Sequence, residues 1–293
     1  MLPTQAELSP NSEVGGTIWV LLPIHDRRPV TERFVRSLAA QTDTDFHLIL
    51  IDDGSTDGSA EAVCELLPRT TVIRGRGNWW WGGGLQQGRL WLMRNKWGPG
   101  DLVLLANANT VLEPDFLAEG RAALAPHPKT LLLAQLYRLS DGSFVESGVH
   151  VDWHALSFTG VADTSLINCL STRGLLMRAH DFIAIGGFHP RLLPHYGSDY
   201  EFTIRARRKG FALESDPAFR LSYDEETSGR RPAEVGSIQA FLRSTFSKRT
   251  IENPAYWTTF ILMSCPPRLV PRNLYRIWKK FAQQLVHARR SQG

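Results

Sequence analysis

The chain has 293 residues, 43% hydrophobic and 21% charged, a balance that excludes intrinsic disorder and allows one large domain with an appendage. No apolar run reaches the roughly 18–20 residues of a membrane span, and no basic stretch leads into an apolar one near Met1, so neither a spanning helix nor a secretory signal is expected. The net charge of +4 conceals a block from Arg230 to Gly293 with 12 Lys/Arg against 2 Asp/Glu, and such a block faces something anionic, with phospholipid and nucleic acid as candidates.

Residues 1–16 read as a loose polar leader. Ile18–Ile24 (IWVLLPI) is a continuous apolar run ending in a turn, the pattern of a strand buried on both faces. Helical spacing follows over Val30–Ala40, then a second buried strand at His47–Ile51 and the acidic turn Asp52-Asp53-Gly54-Ser55-Thr56-Asp57-Gly58. A helix over Ala60–Leu67 and a strand over Thr70–Arg74 precede a Gly-rich stretch, Gly75–Gly88, which leads into a helix at Arg89–Lys96. Asp101–Ala106 is a further buried strand, Pro114–Leu124 a helix with Pro in its first turn, and Leu131–Leu136 another strand. This alternation implies βαβ crossovers and a mostly parallel α/β sheet. Beyond residue 137 the rhythm changes: Ser143–Thr159 alternates like a hairpin, and helices are expected around Ala179–Ile185 and Asp199–Lys209. Three separated cysteines (Cys64, Cys169, Cys265) fit free thiols in a reducing cytoplasm.

In an open parallel sheet, ligands bind beyond the carboxyl ends of the strands. Three turns there carry functional-looking residues: His25-Asp26-Arg27, Asp52-Asp53 and Asn107-Ala108-Asn109. A helix N-cap accounts for Asp57. Two further carboxylates directly behind a buried strand repel one another and point to ligand contact. Gly197-Ser198 opens a helix and leaves Asp199 in its first turn, where the dipole favours a carboxylate; Glu201 and Arg205, four apart, read as a scaffold pair. In the run Trp79-Trp80-Trp81, one ring or more serves as a packed cover. Another is free to stack on a sugar or a base, with Gly82-Gly83-Gly84 letting backbone approach a donor.

The segments VLLPIHDRRPVTERFVRSLAAQT, HLILIDDGSTDGS, LLANANT, GLLMRAHDFIAIGGF and GSDYEFTIRARRKGF, in this order over residues 17–225, resemble family 2 glycosyltransferases. GNWWWGGG is similar to the Trp-Gly loop of their rhamnosyltransferase-like branch. The resemblance implies a GT-A-type, Rossmann-like sheet flanked by helices over 17–229, with a nucleotide-binding half to about 137, an acceptor half after it, and a basic helical tail over 230–293. It implies an inverting transfer from a nucleoside-diphosphate sugar, dTDP-rhamnose or a UDP-sugar, to a glycan or lipid-linked acceptor in surface polysaccharide synthesis. Pro23, His25, Arg27, Asp52, Asp53, Asn78 and Asn107 then fall at the nucleotide. Trp80, Trp81, Gly83, His195 and Tyr196 fall at the donor and acceptor sugars. Asp199 falls at the catalytic base.

The family's metal motif is carboxylate-rich, and here it reads Asn107-Ala108-Asn109. Mg²⁺ or Mn²⁺ is the expected cofactor, with Asn109 as ligand, but hard cations prefer anionic oxygen and Ala108 offers none. Arg74, Arg76 and Arg89 are candidates for stabilising the leaving group in its place. Alternatives are a catalytically impaired nucleotide-sugar-binding relative or a sugar nucleotidyltransferase. In the tail, Leu274, Ile277, Trp278, Phe281 and Leu285 share one helical face flanked by Arg272, Arg276, Lys279 and Lys280. That face either docks on the domain or lies on anionic lipid; the expected location is the cytoplasm, and the second alternative makes the protein peripheral on the inner face of the membrane. Nucleic acid is not expected, since no binding motif accompanies the charge.

Overall fold

Apolar runs bounded by turn residues become the buried centre of one sheet in the computed structural model, which describes residues 15–227, 238–248 and 250–290. β1 (Ile18–Ile24), β2 (Phe46–Asp52), β3 (Thr70–Arg74) and β4 (Leu102–Leu105) run parallel in the order β3-β2-β1-β4. Their crossovers contain α1 (Arg28–Ala39), α2 (Ser59–Leu66) and α3 (Trp80–Arg94). Side chains alternate between the two faces. Val20, Leu22, Leu48, Leu50 and Leu104 pack on the α1–α2 side, and Leu21, Ile49, Ile51, Val103 and Leu105 on the α3 side.

The second half is mixed. It adds β5 (Thr110–Leu112), α4 (Phe116–Leu124), β6 (Thr130–Arg138), β7 (Phe144–Glu146), β8 (Gly148–Asp152), β9 (Ser157–Val161), β10 (Leu175–Arg178), α5 (Ala179–Ile185), α6 (Ser198–Arg208) and β11 (Ala212–Tyr223). The sheet continues β4-β10-β6-β11-β5, with β10 antiparallel to both of its neighbours. The alternation expected to form one hairpin over 143–159 divides: β7 pairs with β6, and the hairpin is β8 with β9. The architecture is the α/β sheet flanked by helices that the sequence implied, with a C-terminal helix.

α3 is the main departure. It starts at Trp80 rather than Arg89, so Gly82, Gly83, Gly84 and Gly88 are helical and buried. Glycine costs about 1 kcal/mol in a helix interior relative to alanine. Close approach to the sheet offsets it. A Cβ on Gly84 would sit 3.1 Å from Pro23 Cβ, and one on Gly88 3.0 Å from Leu21 and Ile51 methyl groups.

The expected leader is outside the described residues up to position 14, and so is the start of the basic tail at 230–237. The tail's described helices are α7 (Ile238–Thr245), α8 (Pro254–Ser264) and α9 (Val270–Arg290). Asn253 caps α8 by accepting from the Ala255 and Tyr256 N–H groups. Phe260 of α8 joins Val149, Leu193 and Ile204 in a third core cluster, which seats the tail against α6. Leu274, Ile277, Phe281 and Leu285 of α9 are half-buried, while Trp278 is 43% exposed. Among the described residues no helix is long and apolar enough to cross a membrane.

Candidate functional site

The carboxyl ends of β1, β2 and β4 open on one side of the sheet, and the residues singled out in the sequence gather around that edge. Asp52 ends β2 and Asp53 follows it, and both are buried. Asp52, 1% exposed, accepts the Ser55 N–H at 2.8 Å and lies 3.7 Å from the Arg74 guanidinium. Asp53 accepts four backbone N–H groups: Gly77 at 2.9 Å and Asn78 at 3.1 Å on Oδ1, Trp79 at 2.7 Å and Trp80 at 3.0 Å on Oδ2. A carboxylate has about four lone-pair positions, so the chain's own donors fill this one. Two of those donors open α3, where the helix dipole also favours the negative charge. The like-charge repulsion seen in the sequence is thus answered within the protein.

The neighbouring residues shape a wall. Pro23 of β1 packs on the Gly84 surface of α3. His25 Nδ1 lies 2.9 Å from the Asp53 carbonyl, and Asn78 is exposed. Exposed Arg27 donates to the Thr227 carbonyl at 2.8 Å.

The three tryptophans separate by role. Trp79 packs against the α3-side core. Trp81 does the same and donates its indole N–H to Thr172 Oγ1 at 3.0 Å. Trp81 is therefore a packing residue rather than a sugar platform. Gly83 is likewise buried: a Cβ there would meet Trp79 at 3.2 Å and Pro190 at 3.4 Å, which removes it from any donor surface. Trp80 takes a left-handed backbone (φ +59°) that is costly for a bulky residue and places its ring 5.8 Å from that of His195. His195 in turn stacks edge-on with Tyr196 at 4.3 Å. Burial, aided by the Arg27 charge, lowers the His195 pKa to about 4, so this imidazole is neutral near pH 7.

Asp199 follows this aromatic wall. Gly197, at φ +77°, turns the chain into α6 and puts Asp199 in the first turn. Its Oδ1 accepts the Tyr200 N–H at 2.9 Å. Burial pushes its carboxyl above the usual Asp value, against the pull of that N–H and of the nearby Arg173 guanidinium. A raised carboxyl is what proton abstraction near neutral pH favours. Glu201 and Arg205 form the expected pair, with contacts of 2.7 and 3.0 Å, and Arg205 also ties down the Ile185 and Gly187 carbonyls.

At the end of β4, Asn107 Oδ1 is buried without a hydrogen-bond partner. Asn109 is buried and donates its amide to the Asp224 carbonyl at 3.3 Å. The Asp224 carboxylate is itself held by Arg33 at 2.5 Å. Among the described residues no three His, Cys, Asp or Glu converge to hold a metal ion. The position therefore offers neutral amide oxygen where a divalent cation favours anionic ligands, and the residues present do not fit Mg²⁺ or Mn²⁺ as expected. Two of the expected arginines are already engaged. Arg74 pairs with Glu61 at 2.7 Å, and Arg89 reaches the Ile183 carbonyl behind α3. Sequence reasoning missed Arg173, whose guanidinium lies 4.8 Å over the Tyr223 ring. No motif marks it, and it becomes conspicuous only once β10 is placed beside β4.

A family model described as Glycosyl transferase family 2 matches residues 19–178. The N-acetylglucosaminyl-diphospho-decaprenol L-rhamnosyltransferase of Mycobacterium tuberculosis is 24% identical over 256 residues, 78% of this chain and 82% of that protein. S. aureus TarS, solved with UDP, superposes with a TM-score of 0.53 at 15% identity, covering 89% of this chain and 70% of that one. GalNAc-T7, solved with UDP, GalNAc and Mn²⁺, gives 0.59 at 14% identity, covering 94% and 58%. At such identities the solved structures share the fold.

Proposed function

Because this chain belongs to glycosyl transferase family 2, we propose that it moves a sugar from a nucleoside diphosphate to a glycan or lipid-linked acceptor, with inversion at the anomeric carbon. The observation that carries this is Asp199, a carboxylate raised by burial at the start of α6, next to the wall of Trp80, His195 and Tyr196. An acceptor hydroxyl gives its proton to Asp199 as its oxygen bonds to the anomeric carbon. The bond from that carbon to the diphosphate breaks on the opposite face, and its electron pair leaves with the nucleotide. One in-line displacement inverts the centre without a covalent intermediate.

The remaining residues serve that step. Asn107 Oδ1 accepts from a sugar hydroxyl, which resolves its unpartnered burial. Neutral His195 and the Trp80 ring border the sugar, and Pro23, His25, Arg27 and Asn78 line the nucleotide pocket. Asp52 and Asp53 act on that pocket by holding its turn and the 77–80 wall. dTDP-rhamnose is the first donor to try and UDP-sugars the second. The Mycobacterium relative, whose name specifies a lipid-linked GlcNAc acceptor, supports such an acceptor here. Tyr275, Trp278 and Val286 of α9 are 65%, 43% and 48% exposed, Leu262 of α8 is 60% exposed, and the Lys279 ammonium lies 5.8 Å over the Tyr275 ring. This outward stripe rests on anionic lipid at the cytoplasmic face, where a lipid-linked acceptor is reached.

The test incubates the protein with dTDP-rhamnose or UDP-sugars and a GlcNAc-diphospho-lipid, then reads the product's anomeric configuration by NMR. A product with inverted configuration supports the reading, and a retained configuration refutes it. Nucleotide binding with no transfer to any acceptor would favour the impaired relative, a reading kept in view by the missing carboxylate at Ala108.

A further inference from the structure

We propose that Arg173 takes the negative charge of the departing diphosphate, so that this protein's transfer step runs without a divalent cation. The proposal rests on the glycosyl-transfer reading and deepens it.

Placement comes first. The Gly174 N–H donates to the Leu105 carbonyl at 3.0 Å, and Leu175 pairs with Leu105, so Arg173 emerges beside Ala106 and Asn107. Tyr223, over whose ring the guanidinium lies, pairs in register with Thr110, the residue after Asn109. The Trp81 indole fixes the preceding Thr172. Arg173 thus stands at the strand end where the metal's carboxylates were expected, and the missing anion is matched by an added cation.

Its partners point the same way. Of the other arginines near this edge, Arg74, Arg33 and Arg138 are paired with Glu61, Asp224 and Glu225, while Arg27 and Arg76 are exposed on the outer rim. Among the described residues Arg173 makes no ion pair, and its Nε is buried without a hydrogen-bond partner. An aromatic face orients the guanidinium while leaving its N–H groups unspent. A planar fork of donors suits phosphate oxygens, to which arginine bonds bidentately.

The charges balance over the step. Cleavage of the anomeric C–O bond leaves one more negative charge on the nucleoside diphosphate, which Arg173 receives, while the acceptor's proton passes to Asp199. The same guanidinium pulls the Asp199 carboxyl down in the donor-free protein.

The experiment is calorimetric titration of UDP, dTDP and GDP into the wild type, Arg173→Ala and Arg173→Lys, each in EDTA and in Mn²⁺. The wild type is expected to bind one nucleotide with a Kd that changes less than about threefold between the two buffers. Arg173→Ala should weaken that nucleoside diphosphate by about tenfold or more and the matching nucleoside by less than about threefold, with Arg173→Lys in between. Thermal melts check that each variant is folded, and Arg173→Lys keeps the comparison available if Arg173→Ala is not. Wild-type binding that requires Mn²⁺, or variants that bind as the wild type does, would overturn the inference while leaving glycosyl transfer standing. A wild type that binds none of the three nucleotides overturns both.

Discussion

Replacing Asp53 by alanine should cost far more stability than a pocket residue normally does. Its carboxylate receives four backbone N–H groups at 2.7–3.1 Å, two of them at the start of α3. With roughly 1 kcal/mol for each such bond, Asp53→Ala loses about 4 kcal/mol. For a chain of this size that is a fall in Tm on the order of 10 °C. Asp53→Asn keeps an acceptor for only two of the four donors and turns an N–H₂ toward the others, so it should lose about half as much or slightly more. Urea denaturation of the three proteins, run beside nucleotide titration, separates a framework role from ligand contact. An Asp53→Ala protein as stable as the wild type but unable to bind nucleotide would refute the reasoning, because the carboxylate would then be serving the ligand.

Three further outcomes are expected. Asp199→Asn should lower kcat by about 10²–10⁴ with nucleotide affinity nearly unchanged, and its melting temperature at pH 7 should not fall, since a carboxylate disfavoured by burial is removed; a parallel loss of binding would count against a role as base. His195 takes its proton near pH 4 in the fold and near 6.5 when unfolded, so the unfolded state binds more protons between those values. Its contribution to stability is complete above about pH 6.5 and is lost as pH falls toward 4, and His195→Asn should flatten urea midpoints measured across that window; an unchanged slope would show that other groups set it. A Tyr275→Ser, Val286→Ser double variant should sediment with vesicles containing phosphatidylglycerol markedly less than the wild type while keeping its melting temperature, and equal sedimentation would remove α9 from the membrane contact.

What the sequence made legible was local. β1, β2 and β4 are buried on both faces, and an unbroken apolar run says so directly. The first-turn placement of Asp199 was legible because Gly-Ser-Asp is a helix start in its own right. α3 was not, since its glycines argue for a loop in any local accounting, and only the nearness of Pro23, Leu21 and Ile51 makes a bare helix face favourable. β11 was hidden by Pro217 and charged residues, which the strand accommodates with a register shift between Asp216 and Arg220. Asp53 looked like a ligand contact because its four partners lie 24 to 27 residues further along the chain. Arg173 acquires meaning only from the antiparallel insertion of β10 beside β4, a choice of neighbour that no short motif encodes.

The start of α3 has two anchors, and they belong to different halves of the molecule. Asp53 holds it from the end of β2, while the Gly82 N–H donates to the Pro194 carbonyl at 2.9 Å, in the segment leading to Asp199. A Cβ at Gly82 would fall 2.9 Å from the Leu193 carbonyl, so this junction has no slack. The two halves are therefore poor modules for recombination. A chimera that imports a relative's first half must bring a matching 193–198 segment with it, or the graft will shift Asp199, whose position it was meant to keep.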